Sequence, residues 1–139
     1  MIFIVDASIA VKWYVPEIHT EAAARLLDPA HELHAPDLIL PEFGSIIWKK
    51  IRRGEITVHK GCEIIGAFLA VPVLKHPATV LLESAFETAH GTAQTVYDCT
   101  YLALAVALEC QMVTADEKFY RALKAGSLAS FLLWVEDIA

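Results

Sequence analysis

Cysteine is scarce in this chain and is not arranged for bridging. Cys62, Cys99 and Cys110 are the only three in 139 residues, widely spaced and with no Cys-x-x-Cys. An odd, scattered set excludes a disulfide framework and points to reduced thiols in a cytoplasmic protein. Positive charge is also short, with 11 Lys and Arg against 17 Asp and Glu and a net charge of −6. This excludes nucleic-acid binding by bulk charge, so any such contact has to come from a local site. Long hydrophobic runs are missing too. Charge-free stretches such as Ile64–Leu74 fall short of the roughly 18–20 residues that span a bilayer. The N-terminus has no basic leader and reaches Asp6 after four apolar residues, which argues against a signal peptide. With no repeats, low-complexity stretches or Gly-, Pro- or Ser-rich linkers, the chain reads as a single domain over residues 1–139.

Apolar residues, in contrast, are plentiful, at 56% of the chain against roughly 45–50% in an average soluble domain. The excess over what a core needs implies an apolar surface, and so a partner chain or a homodimer.

The hydrophobic pattern alternates strands with helices. Short unalternating runs predict strands at Ile2–Val5, Glu32–Ala35, Val71–Leu74, Gln111–Thr114 and Phe131–Val135. Pro72 inside the third places it near a sheet edge. Helical spacing predicts helices at Ser8–Tyr14, Glu21–Leu27, Leu38–Arg53, Thr57–Leu69, Thr79–His90, Thr95–Glu109 and Asp116–Lys124. The fourth is expected to bury Cys62, Ile65 and Leu69, and the sixth, apolar nearly all round, to lie inside. The order implies an α/β protein of three layers, α/β/α, around a central parallel sheet of about five strands.

In such a sheet, ligands bind at the carboxyl ends of the strands, the edge where the following helices begin. Four acids fall there. Asp6 follows the first strand, Glu42 lies early in the helix after the second, Asp98 opens the buried helix, and Asp116 follows the fourth strand. Each has an ordinary explanation. Thr95-x-x-Asp98 resembles a capping box and Thr114-x-x-Glu117 matches one, which leaves Asp116 as a favourable first-turn charge; Asp6 can cap a helix. Taken singly, Asp98 and Glu42 read as first-turn acids, and Asp6 and Asp116 read equally as caps or as site residues. Taken together they are four acids in apolar surroundings with no cation nearby in sequence, and such charges need a partner. A divalent metal meets that need, and carboxylate-only ligation selects Mg²⁺ or Mn²⁺ over zinc. The chemistry such a site supports is phosphodiester hydrolysis.

The stretches VDASIAVKW, APDLILPEFGSIIWK, YDCTYLALA and VTADEKFYRAL resemble the four acidic motifs of the PIN domain, in particular those of VapC-type ribonuclease toxins. The resemblance runs from residue 2 to about residue 135. It implies Mg²⁺- or Mn²⁺-dependent endonucleolytic cleavage of RNA and a small antitoxin protein as partner. The family's acids carry over to Asp6, Glu42, Asp98 and Asp116 as both catalytic and metal-holding residues, and its hydroxyl positions to Ser8 and Thr114. Two positions depart from the pattern. Pro41 before Glu42 bears on where that helix starts, and Glu117, where relatives often carry a basic residue, bears on how RNA approaches.

Lys12, Lys118 and Arg121 lie nearest the acidic edge and are the candidates for holding substrate. Lys49, Lys50, Arg52 and Arg53 sit at a helix C-terminus, where cations complement the helix dipole; the alternative is a contact to RNA phosphates away from the cut. Trp13, Tyr14, Ile47 and Trp48 read equally as core or as a groove for an apolar peptide. His31 and His34 lack further ligands for zinc and are expected at the surface; Cys99, beside Asp98, is expected as a packed thiol. Rival functions fit less well. An aspartate-dependent phosphatase would carry D-x-D where Ser8 stands, and a phospho-receiver would carry an Asp in VPVLKHPAT, which has none. A catalytically silent PIN-like module that binds RNA or protein has the same four acids and is separated only by assay.

Overall fold

The computed structural model describes all 139 residues. Ile2–Val5 forms β1, and its last three residues are fully buried, as an unalternating apolar run requires. Ala7–Val11 is α1, Thr20–Ala24 is α2 and Glu32–Pro36 is β2. Two long helices follow, α3 (Ile39–Arg52) and α4 (Val58–Ala70). Gly54 joins them in the left-handed conformation, φ 74°, which glycine adopts at no steric cost. The chain continues through β3 (Val73–His76), α5 (Leu82–Thr92), α6 (Val96–Ala107), β4 (Gln111–Thr114), α7 (Glu117–Leu123) and β5 (Leu132–Trp134). No helix is long and apolar enough to cross a membrane.

All strand pairs are parallel, in the order β3-β2-β1-β4-β5. The chain therefore leaves β1 towards β2 and β3, then returns on the other side of β1 to form β4. The crevice between the ends of β1 and β4 is the topological switch point, where open α/β sheets bind ligands. Helix α6 packs on β1, β2 and β4, and seven of its residues, Cys99–Ala105, are buried.

Several local expectations change. β3 starts at Val73, two residues late, because Pro72 has no N–H to give the ladder; the strand is at the edge, as expected. Pro41 breaks nothing, because as the third residue of α3 its missing N–H is one that the first turn leaves unpaired anyway. The buried face of α4 is not Cys62, Ile65 and Leu69 but Gly61, Ile64 and Phe68. Cys62 and Leu69 are exposed. Both stripes are apolar in sequence. What selects the second is the match to α3: the Phe68 ring stacks on Phe43 at 3.9 Å. Gly61 completes the match, since a Cβ there would lie 2.7 Å from Ile51 Cδ1. His34 is buried, bridging His76 (2.8 Å) and Glu32 (2.6 Å), so the surface placement is overturned. Its strand lies second from the edge, and the side chain finds polar partners on that same face.

Candidate active site

The sheet brings the four acids to one edge. Asp6 directly follows β1 and is the N-cap of α1: its Oδ1 accepts from the Ile9 N–H and the Ser8 hydroxyl, each at 2.9 Å. Oδ2 is left free. Asp116 caps α7 in the same way, Oδ1 accepting from the Phe119 N–H at 3.0 Å. The cap is thus Asp116 and not Thr114, whose hydroxyl oxygen instead accepts from the Asp116 N–H at 3.1 Å. Thr95 caps α6 by accepting from the Asp98 N–H at 3.1 Å, which puts Asp98 in the first turn. Glu42, in the first turn of α3, accepts a hydrogen bond from the Tyr101 hydroxyl at 3.0 Å through Oε1. Capping and site roles are therefore not rivals. A local hydrogen bond aims Asp6 and Asp116 through one oxygen, a distant one from Tyr101 aims Glu42, and in each the other oxygen is left available.

The electrostatics agree that the acids share a site. Burial pushes the Asp6 carboxyl up to about 6; the Ile9 and Ser8 hydrogen bonds oppose the rise, and the charges of Asp98 and Glu42 add to it. Burial also raises Glu42, against the pull of the Tyr101 hydroxyl and with a push from Asp98. Burial raises Asp98, opposed by the nearby Thr95 side chain and assisted by the charge of Asp116. The repulsion links Glu42, Asp6 and Asp98 to one another and Asp98 to Asp116. None of the four is ion-paired with a Lys, Arg or His. As they lie, no three close around a point that would enclose an ion.

The candidate substrate cations fare unevenly. Lys12 is buried and its Nζ pairs with Glu17 at 3.1 Å, so it does not reach solvent at the acidic edge. Glu17 also takes Lys50, tying α3 to the loop before α2. Lys118 is exposed and unpaired; Arg121 pairs only with the exposed Glu117. Of the four aromatic-groove candidates, Ile47 is core, Trp13 and Tyr14 pack partly against it, and Trp48 is exposed under Arg52. Cys99 is buried, as expected of a packed thiol.

Tyr101 is a site residue that the sequence reading missed by counting it as core. It lies three positions after Asp98 and so on the same helix face, and a buried phenol has to find a hydrogen-bond partner.

A family model for the PIN domain matches residues 3–124. Ribonuclease VapC3 of Pyrobaculum aerophilum is 34% identical over 122 residues, 85% of this chain and 92% of its own. Ribonuclease VapC9 of Mycobacterium tuberculosis is 31% identical over 113 residues, 81% of this chain and 84% of its own. Among solved structures, PAE2754 from Pyrobaculum aerophilum superposes with a TM-score of 0.70 at 21% identity, over 96% of this chain and 83% of that one. VapBC2 from Rickettsia felis, bound to a DNA fragment from its promoter, superposes at 0.65 and 15% identity, over 96% and 98%. At those identities the two structures speak to the fold.

Proposed function

The chain belongs to the PIN domain family, and from that premise we propose that it is an endoribonuclease, the toxin of a type II toxin–antitoxin pair, which hydrolyses RNA at Asp6, Glu42, Asp98 and Asp116. One observation carries the reading: four mutually repelling carboxylates gather at the switch point and none has a cationic side-chain partner. Such a site needs a cation. Its oxygen-only donors suit Mg²⁺ or Mn²⁺. Mg²⁺ keeps several of its waters, so the four acids can hold it partly through water and need not all ligate it directly.

Asp6, Glu42, Asp98 and Asp116 would hold the ion. When bound, it supplies acidity to a water and offsets negative charge on the phosphoryl group. The chain's own residues do the positioning. Ser8 and the Ile9 N–H fix Asp6 through Oδ1. Tyr101 fixes Glu42. Thr114 fixes the backbone from which Asp116 projects. We assign Asp116, exposed and with Oδ2 free, to orienting the attacking water.

Mixed single-stranded RNA incubated with the chain should be cut internally in Mg²⁺ or Mn²⁺ and left intact in excess EDTA. Cleavage of equal strength by an Asp6→Asn variant would remove the basis for the assignment. Tyr101→Phe supplies a finer check. Loss of the hydroxyl raises the Glu42 carboxyl further, because that hydrogen bond lowers it. The acid limb of the cleavage pH profile should move to higher pH and the rate fall about tenfold, the lower end of what outer-shell partners contribute.

The partner in this reading is a small antitoxin protein. A homodimer belongs to it as well, and the exposed Val80, just before α5, with Leu82 and Phe86, one turn apart on α5, give it an apolar face.

A further inference from the structure

A carboxylate cluster repels a polyanion, so RNA has to be held by cations beside it. Most of the chain's cations near the core of the fold are engaged. Lys12 and Lys50 pair with Glu17, Arg25 donates to the carbonyls of Glu136 and Ile138, and Arg52 lies over Trp48. Two sets of cations stay exposed beside the acids: Lys49, which lines a hollow with Glu42 and Tyr97, and Lys118, Arg121 and Lys124, all within about 12 Å of helix rise from Asp116; the second set stands beside a pair of packed aromatic rings.

Beside it is a hollow of about 210 Å³ lined by Glu117, Tyr120, Arg121, Lys124 and Trp134. The Tyr120 and Trp134 rings, both half-buried, stand 5.5 Å apart and inclined at 47°. Because β5 lies beyond β4 in the sheet, the hollow flanks Asp116 on the side away from Glu42. From Asp116 to Lys124 the helix rises about 12 Å, so the hollow is a short step along a strand from the acids. Aromatic faces with cations beside them are what an unpaired base and its phosphates require, and every base offers such a face.

We propose that this hollow is a subsite for single-stranded RNA, in which one unpaired base packs against Tyr120 and Trp134 while Arg121 and Lys124 hold the adjoining phosphates. The proposal rests on the nuclease reading above. Glu117 works against it: its pair with Arg121 is exposed on both sides. A pair so exposed is worth little and exchanges readily for a phosphate.

The test is equilibrium binding of a labelled short single-stranded RNA to the full chain in EDTA, followed by cleavage kinetics with Mg²⁺ or Mn²⁺. Arg121→Glu with Lys124→Glu, both at exposed positions, should weaken binding at least about tenfold and flatten its salt dependence by roughly the 0.7 per phosphate expected of single strands. KM should rise with kcat held within about twofold, since neither residue touches the reacting atoms. Glu117→Gln should tighten binding, because it removes a negative charge beside the proposed phosphate sites and frees Arg121. Trp134→Phe should bind like the parent, and Trp134→Leu about tenfold worse, within what base–aromatic stacking supplies; an RNA duplex should not distinguish the two. If the parent binds and cuts RNA and the variants match it, the subsite is wrong and the nuclease stands. Losses that are equal on duplex overturn the base pocket. A parent that neither binds nor cuts any RNA overturns the nuclease reading and the subsite with it.

Discussion

Asp6→Asn is expected to abolish RNA cleavage and, at the same time, to raise the melting temperature of the metal-free chain at pH 7.5. The activity loss should exceed the ~10–100-fold that an outer-shell change costs, since Asp6 is a proposed direct ligand. The gain in stability follows from the same burial. Asp6 is only 9% exposed, and its carboxyl rises from 3.8 to about 6 on folding. A group raised in the folded state contributes stability that is complete below its unfolded value and lost as pH climbs through the folded one. Between pH 4 and pH 6 the metal-free fold therefore surrenders up to about 3 kcal/mol from this residue. Asn keeps the shape and still accepts from the Ile9 N–H as a good N-cap, so the cap survives while the buried charge goes. For a chain of this size, 1 kcal/mol corresponds to roughly 3–5 °C. Thermal melts in EDTA at pH 5 and pH 7.5 should show the parent losing stability across that interval and the Asn variant losing less. Adding Mg²⁺ should then raise the parent at pH 7.5 and leave the variant nearly unmoved, because an ion that binds only the folded state stabilises it by mass action. A variant that melts below the parent at pH 7.5 in EDTA, or an equal response of both to Mg²⁺, contradicts the account.

The residues of the candidate site stood out in the sequence where a local rule and the global topology say the same thing. An apolar β-branched run ending on Asp6 is at once a buried strand, a helix cap and a switch-point acid, and each reading placed it correctly. The same is true of Thr95 and Asp98 at the start of α6. Legibility failed where a choice depended on what lay opposite. The α4 helix offers two apolar stripes one residue apart, and only the Phe43 ring and the space at Gly61 select between them. Lys12 is near the acidic edge in sequence, yet Glu17, five residues on, draws it into a buried pair. His34 and Tyr101 needed partners 42 and 59 residues away, His76 and Glu42, which no local pattern announces.

That dependence on an opposing face makes Phe43 the position where a core change should cost most. The residue follows Glu42 in α3, is 1% exposed, stacks on Phe68 at 3.9 Å and meets the edge of Tyr14 at 6.0 Å. Removing the ring takes away its transfer free energy and leaves a cavity between α3 and α4, so Phe43→Ala should destabilise by about 3–5 kcal/mol. The melting temperature should fall by roughly 10–20 °C. Phe68→Ala vacates the same contact, and once one ring is gone the other has lost its stacking partner. The double variant should therefore lose less than the two single losses combined, with a coupling of about 0.5–3 kcal/mol. Phe43→Leu keeps most of the volume and should cost much less. The consequence reaches the site, because Glu42 is held by the turn of α3 that Phe43 anchors and by Tyr101 from α6. With the anchor gone and the Tyr101 bond intact, cleavage at a temperature well below the lowered melting point should fall more steeply than the folded fraction does. Activity that tracks the folded fraction alone would show that Tyr101 suffices to hold Glu42, and that the interface between α3 and α4 serves stability without serving the chemistry.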